Sequence, residues 1–215
     1  MMRKSVLTIV GILFLLASFP VCTFSQEAKS RYDVLLERVK KGDQAVDYRE
    51  MRFAYAETSR YKPYGGNRSD LVKAMYSAYY DKHYAKAVED AEKILKDNYV
   101  DIDAHMMAGV LYDLLGEKAK SDYHGIIGKG LLQSMMASED GESLKTAIKI
   151  ISVDEEYILL RMLGLKSISQ SKLQIDDHRY DKLTVFDTET NRQLDLYFSI
   201  DIPYSWLEKS LKKSK

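Results

Sequence analysis

The spacing of apolar residues changes near residue 138, and this change limits the fold more than any other feature of the sequence. Before it, as in the stretch 30–41, apolar side chains recur every three or four residues, which is typical of one helix face. After it, apolar and polar residues alternate, most regularly at 193–201, which is typical of half-buried strands. We therefore predict an α+β fold in which a helical region at 26–137 and an α+β region at 138–215 pack together as one globular unit.

The helical region contains six segments with this helical spacing. Gly42 and Gly116 follow two of them, as glycine often does at the end of a helix. Ser69 or Asp70 is the predicted N-cap of the third helix, and glycines within 125–130 weaken the start of the sixth. The predicted helices cover 30–41, 47–60, 70–81, 84–96, 102–115 and a last segment that ends near 136.

Residues 68–135 resemble the tetratricopeptide repeat, which is a 34-residue helix pair. The aromatic-x-x-Ala turn at 84–87 begins the second helix of one repeat, and Gly109 and Tyr112 match the first helix of the next. A glycine there lets two helices approach closely, while the aromatic ring fills the next gap. The dipeptide at 98–99 departs from the Asn-Pro of the repeat, and an ordinary helical hairpin is the alternative.

The C-terminal region contains four predicted strands and two predicted helices. Asp154 is the predicted cap of the first helix, which ends at Gly164, and Pro203 suits the first turn of the closing helix. A tight turn at 188–191 joins the last two strands as a hairpin, so we expect a small antiparallel sheet followed by a C-terminal helix. The predicted strands cover 146–153, 168–175, 182–187 and 193–201.

Residues 1–25 have the features of a secretory signal peptide. A short basic start precedes an apolar segment at 6–17, which is too short for a membrane span of about 20 residues. Small residues near the end of the segment place the predicted cleavage between Ser25 and Gln26. The alternatives are an uncleaved anchor or lipid attachment at Cys22. We expect an exported protein, periplasmic or secreted, with no stable membrane span after cleavage.

Removal of this segment changes the composition and excludes several kinds of chemistry. Cys22 is the only cysteine, so the remaining chain has no disulfide, thiolate nucleophile or cysteine metal site. The formal net charge moves from 0 to −2 because residues 1–25 carry two basic side chains and no acidic one. This charge argues against nucleic acid as a partner. The four histidines lack zinc-site spacing, so we assign no metal ligand and no cofactor.

The candidate binding residues lie in two short segments and the helix before them. Polar and aromatic residues near the Pro-Gly loop at 61–67 are poor core material and good recognition material. The acidic cluster at 154–156 stands at a strand-to-helix junction, where one carboxylate could bind Arg52 or a ligand. We assign no catalytic residue. The candidate binding residues are Arg52, Tyr55, Tyr61, Tyr64, Glu155 and Glu156.

Short motifs rich in tyrosine and acidic residues are spread over most of the chain. They are Asp47-Tyr48 with Arg52 and Tyr55, Tyr61-x-Pro63-Tyr64, Asp140-Gly141, Val153 to Tyr157, Tyr180-Asp181 and Tyr197-Phe198. With these motifs the chain resembles a family of exported bacterial proteins known only as a domain of unknown function. The resemblance implies export and a shared fold, and it implies no activity.

Three functional hypotheses follow from the sequence. The first is a non-catalytic module of the cell envelope that binds a protein or peptide partner, because stacked helix pairs present a concave face. The second is a glycan-binding accessory protein, because the chain has 16 tyrosines. The third is a hydrolase that uses Glu155, Glu156 or Asp140 as acid and base, which requires two carboxyl groups in different environments.

We predict that the exported protein begins at Gln26. Signal peptidase accepts small side chains at the position of Ser25 and two residues before it, so cleavage there releases the apolar segment. Intact-mass measurement of the protein from the periplasm and the medium checks this prediction. A chain that keeps Met1 and remains inside the cell contradicts it.

Overall fold

A computed structural model describes residues 29–64 and 66–213, and in these ranges eight α-helices and a four-stranded sheet confirm the α+β class. The signal-peptide segment and its predicted cleavage site lie outside the described residues. The helices are α1 Arg31–Lys40, α2 Tyr48–Ala56, α3 Arg68–Tyr80, α4 Tyr84–Asp97, α5 Ile102–Leu114, α6 Lys118–Met135, α7 Val153–Met162 and α8 Asp201–Lys213. The strands are β1 Ile148–Lys149, β2 Leu165–Ile175, β3 His178–Asp187 and β4 Arg192–Ser199.

Local capping explains where several helices begin and end. The side chains of Asp47 and Asp101 accept hydrogen bonds from backbone N–H groups in the first turns of α2 and α5. Gly116 ends α5 with a φ of 78°, a left-handed conformation that glycine adopts without strain. The cap of α3 differs from the prediction, because Asn67, rather than Ser69 or Asp70, precedes its first residue.

Glycines set the close packing of α5 on α6. Gly109 lies against Gly125, and Met106 lies against Gly128, so the two helices run antiparallel. Gly130 faces the ring of Tyr48 in α2. The glycines that weaken α6 as an isolated helix are therefore positions where neighbouring helices approach it closely. The finer resemblance to tetratricopeptide repeats stays a prediction.

The sheet has the strand order β1-β4-β3-β2 and is mixed, not antiparallel as predicted. Strands β2, β3 and β4 form an antiparallel meander, and the predicted turn at 188–191 joins β3 to β4. Strand β1 pairs in parallel with β4, with Ile148 opposite Phe198. Because α7, β2 and β3 separate β1 from β4 along the chain, no hairpin requires these two strands to run in opposite directions.

The predicted strand at 146–153 is much shorter in the structure. Only Ile148 and Lys149 form β1, after a 3₁₀ turn at Leu144–Thr146. Helix α7 begins at Val153, so the predicted cap Asp154 lies inside its first turn. The β-branched residues that follow β1 are buried in the core without extending the strand.

Two clusters of buried side chains form the core. The larger one joins residues of the helical region, such as Leu35 and Leu131, to residues of the sheet and α7, such as Leu159, Leu183 and Phe198. The smaller one lies among α3, α4 and α5. The predicted boundary between the helical region and the α+β region at residue 138 stays a prediction, since the larger cluster contains residues from both sides of this boundary. Within the residues described, no helix is both long enough and apolar enough to cross a membrane.

Two glycine-to-alanine changes in α6 test this packing. Nothing lies within 4 Å of an added Cβ at Gly125, so Gly125→Ala stabilises the protein by about 0.5–1 kcal/mol through helix propensity. An added Cβ at Gly130 lies 2.4 Å from Cε2 of Tyr48, so Gly130→Ala destabilises it by about 1–2 kcal/mol. Urea denaturation measures the free energy of unfolding of both variants. Equal stabilisation by both changes would contradict the packing of α2 on α6.

Candidate functional site

Three consecutive acidic residues at the start of α7 point towards three different parts of the protein. Asp154 binds Arg68, Glu155 binds Arg52, and Glu156 lies on the side of the sheet that carries Asp181. Successive side chains on a helix are about 100° apart, so three neighbours in sequence cannot share one partner. Helix α7 therefore connects three separate polar centres.

The central contact is a buried ion pair between Arg52 and Glu155. The guanidinium donates from Nε to Oε1 at 2.9 Å and from Nη2 to Oε2 at 2.7 Å. Arg52 also donates to the carbonyl of Lys149 at 3.2 Å, and Oε2 of Glu155 accepts from the backbone N–H of Ile151 at 2.8 Å. Arg52 is 0% exposed and Glu155 4%. Two charges are tolerated at this depth because each has several partners.

Tyrosine rings line the space next to this pair. The hydroxyl of Tyr61 donates to the carbonyl of Ile151, and its ring packs edge-on against Tyr55 and Trp206. Burial raises the pKa of both Tyr55 and Tyr61 well above the ordinary value, so both are neutral hydrogen-bond donors. The loop that contains Tyr61 is thereby fixed to the core.

Arg68 forms a second polar centre at the start of α3. It contacts both carboxylate oxygens of Asp101, at 2.5 and 3.3 Å, and it donates to Asp154 at 2.7 Å. Burial raises the pKa of Asp154, and the charge of Arg68 acts against this rise. The contact joins α3 to the start of α5 and to α7. A similar contact lies nearby, where Arg161 of α7 binds Asp103.

These elements enclose a cleft that we call the loop cleft, between residues 59–64 and 66–68 on one side and the C-terminal half of α4 on the other. Its volume is about 520 Å³, and it adjoins an inner chamber of about 40 Å³ against α7. The chamber has room for one or two water molecules. The cleft is lined by Tyr55, Ser59, Arg60, Lys62, Gly66, Asn67, Arg68, Leu71, Ile94, Lys96, Asp97 and Asn98.

Four of the six predicted binding residues meet at the inner end of this cleft. Tyr55, Tyr61 and Glu155 line the chamber, and Arg52 lies behind Glu155. All four are buried, so they support the cleft wall and do not form an exposed surface. Tyr64 and Glu156 are placed elsewhere. Tyr64 is 45% exposed and packs against Trp206, whereas Glu156 faces the sheet and is fully buried.

The sequence reasoning missed the residues of the cleft mouth. Lys62, Asn67 and Arg68 belong to the predicted loop or its border, whereas Lys96 and Asn98 come from the end of α4. One sequence feature pointed to Arg68, because this charged residue directly follows the predicted Gly-Gly-Asn loop. No sequence feature indicated that the end of α4 lines the cleft.

A buried histidine pair lies between α5 and α6, away from the cleft. Nδ1 of His105 lies 3.0 Å from Nδ1 of His124, and Nε2 of His105 lies 3.0 Å from the carbonyl of Tyr99. A carbonyl only accepts, so Nε2 of His105 carries the hydrogen and its Nδ1 accepts from His124. Burial lowers the pKa of His105 to about 3, so this ring is neutral. Among the described residues no group of three or more His, Cys, Asp or Glu side chains is arranged to hold a metal ion.

Comparison with known proteins places the chain in a family. The model of the family described as Domain of unknown function (DUF4919) matches residues 24–209, so the chain belongs to this family. This match confirms the resemblance to an uncharacterised family, while export, a bacterial source and the repeat-like segment stay predictions. No curated protein and no solved structure matches the chain.

We predict that the loss of one member of the Arg52–Glu155 pair destabilises the protein more than the loss of both members. Arg52→Met destabilises the protein by about 3–5 kcal/mol because it leaves the carboxylate of Glu155 buried without its counter-charge. The double variant Arg52→Met/Glu155→Met recovers part of this loss, since no isolated charge remains. Chemical denaturation measures both changes.

The exposed pair Arg31–Glu50 provides the matched control. Its side chains are accessible to water, so Arg31→Met changes stability by less than about 1 kcal/mol. If Arg52→Met costs no more than Arg31→Met, the central role of the buried pair is wrong.

Proposed function

We propose that the chain, as a member of this family, is a non-catalytic module that binds an extended segment of a protein or peptide partner in the loop cleft. The observation that carries the proposal is the composition of the cleft. Its floor is apolar, with Leu71 and Ile94, while its rim carries Lys62 and Lys96. Both lysine residues are exposed to solvent.

The size of the cleft supports a ligand of several residues. Binding sites for small and medium ligands occupy about 300–1,000 Å³, and they combine apolar walls with a few polar groups. The loop cleft has both properties at about 520 Å³. The amide side chains of Asn67 and Asn98 add hydrogen-bonding groups suited to a peptide backbone.

The cleft is also held in shape by contacts outside it. Tyr61 and Tyr64 fix one side of the loop between α2 and α3 against Ile151 and Trp206. Arg68 fixes the other side through Asp101 and Asp154. A preformed site requires little ordering of the protein, which favours affinity. We propose further that the protein acts after export, as the N-terminal segment predicts.

A second candidate function rests on a group of tyrosines at the end of α3. The rings of Tyr76 and Tyr80 stack with centroids 6.3 Å apart, and Tyr79 packs against Tyr80 and Tyr84. Tyr80 is 74% exposed, and an exposed aromatic face suits a saccharide ring. A saccharide array in which Tyr80→Ala abolishes a signal would favour a glycan-binding role over the peptide-binding role.

The hydrolase hypothesis draws no support from the placement of its acidic residues. Glu155 is engaged by Arg52, and Asp140 lies exposed on a loop, where it accepts a hydrogen bond from the backbone N–H of Glu142. Glu156 is fully buried. An acid and a base that act together require a shared opening towards the substrate.

We predict that Leu71→Glu weakens peptide binding in the loop cleft. Random linear peptides displayed on phage are selected on the wild-type protein, and a recovered peptide is then titrated against each variant. Leu71→Glu places a charge on the apolar floor, so affinity falls at least about tenfold, which corresponds to about 1.4 kcal/mol.

Leu114→Glu is the matched control, because Leu114 is an exposed leucine on α5 that does not line the cleft. It leaves the affinity unchanged. Recovery of no binding peptide, or equal loss in both variants, contradicts the proposed site.

A further inference from the structure

Glu156 is buried without a hydrogen-bond partner for either of its carboxyl oxygens. It is 0% exposed, and neither Oε1 nor Oε2 accepts a hydrogen bond. Asp181 of β3 is 1% exposed, and its Oδ1 also lacks a partner. Its Oδ2 accepts from Nε2 of Gln170 at 2.7 Å. Three buried acceptor atoms on two acidic side chains therefore have no donor, which is a costly arrangement for two carboxylates.

The strand register explains why an acidic residue lies in this position. Asp181 lies two residues before Leu183 and four before Val185 in β3. Alternate residues of a strand share one face, so its side chain points to the core face of the sheet. Helix α7 covers this face and brings Glu156 towards Asp181. A neutral polar or apolar residue would fill either position without the cost of a buried charge. Two buried acidic side chains with unpartnered oxygens require a group that lowers the cost of their burial.

The charged and titratable groups around Glu156 disfavour its ionised form. Burial has the largest effect and Asp181 the next, and together they raise the pKa of Glu156 to about 9. Glu155 of α7 acts in the same direction, and Lys172 of β2 acts against it. Burial also raises the pKa of Asp181. The phenols of Tyr64 and Tyr157 face the pair from the loop and from α7, and both are neutral near pH 7.

We propose that Glu156 and Asp181 form a proton-binding site in which Glu156 carries one proton and thereby keeps α7 on the sheet. The protonated Glu156 is neutral, so only one negative charge then remains in the buried space. This remaining charge is stabilised by the amide of Gln170, which Tyr157 orients by donating to its Oε1 at 2.9 Å. The site does not depend on what the loop cleft binds.

The proton gives this part of the fold a defined dependence on pH. The folded pKa of Glu156 lies above that of the unfolded chain, so the folded state binds the proton more tightly. The contribution to stability is complete below about pH 4.5 and declines as the pH rises towards about 9. Above that range both groups are ionised, and repulsion between them weakens the packing of α7 on the sheet.

The first experiment measures the ionisation of Glu156 directly. Glutamate side chains of the purified chain are labelled with ¹³C at the carboxyl carbon, and their chemical shifts are followed by NMR from pH 4 to pH 10. One signal keeps the shift of a protonated carboxyl group through pH 7 and titrates in the alkaline range, while exposed glutamates titrate near about pH 4.3. Asp181→Asn moves the late titration towards the ordinary range. If every glutamate signal titrates in the acidic range, the proposal is overturned, and a bound cation would give this result.

The second experiment compares the unfolding equilibrium constants of the wild type and Glu156→Gln between pH 5 and pH 9. The amide of glutamine is neutral at every pH, so the variant lacks the dependence on this proton. The ratio of the two constants changes by up to about tenfold for each pH unit, in favour of the variant at high pH. Glu142→Gln, at an exposed loop position, gives a constant ratio. A constant ratio for Glu156→Gln overturns the proposal, and if this variant does not fold, the NMR titration of the wild type decides.

Discussion

The buried ion pair between Arg52 and Glu155 is the interaction on which the position of the other elements depends. Charges removed from water require partners, and Arg52 finds its partner 103 residues further along the chain. The pair attaches α2 to α7, and through the carbonyl of Lys149 it also reaches β1. Because α7 packs on the sheet, this contact joins the helical region to the C-terminal region, together with the ion pairs of Arg68 and Arg161 and the larger apolar cluster. The described residues between α2 and α3 form one side of the loop cleft.

The three acidic residues at the start of α7 differ in whether a basic side chain lies close enough to neutralise their charge. Asp154 and Glu155 each face an arginine, whereas Glu156 faces another carboxyl group. The first two contacts supply counter-charges and orient the walls of the loop cleft. The third has no counter-charge of comparable strength, so a proton has to reduce the negative charge. The first turn of α7 thus combines two ion pairs with one contact that depends on pH. The direction in which each side chain points determines which kind of contact it makes.

Tyr61 and Tyr64 lie three residues apart in one loop and contact different parts of the protein. Tyr61 is held in the core beside the inner chamber, while Tyr64 packs on Trp206 of α8 and faces Glu156 and Asp181. Two tyrosines of one loop thus lie beside two adjacent glutamates, Tyr61 near Glu155 and Tyr64 near Glu156.

The sequence by itself determined the class of the fold, the approximate bounds of the helices and the β3–β4 hairpin. These features depend on residues within one or two turns of each other, so periodicity and capping are sufficient to specify them. Tertiary structure alone decided that β1 runs parallel to β4, that Arg52 and Tyr61 are buried, and that Lys96 joins Lys62 at one cleft. It also decided that Glu155 meets a cation while Glu156 meets Asp181. Such pairings join residues far apart in sequence, and local spacing contains no information about which distant charge a side chain will reach.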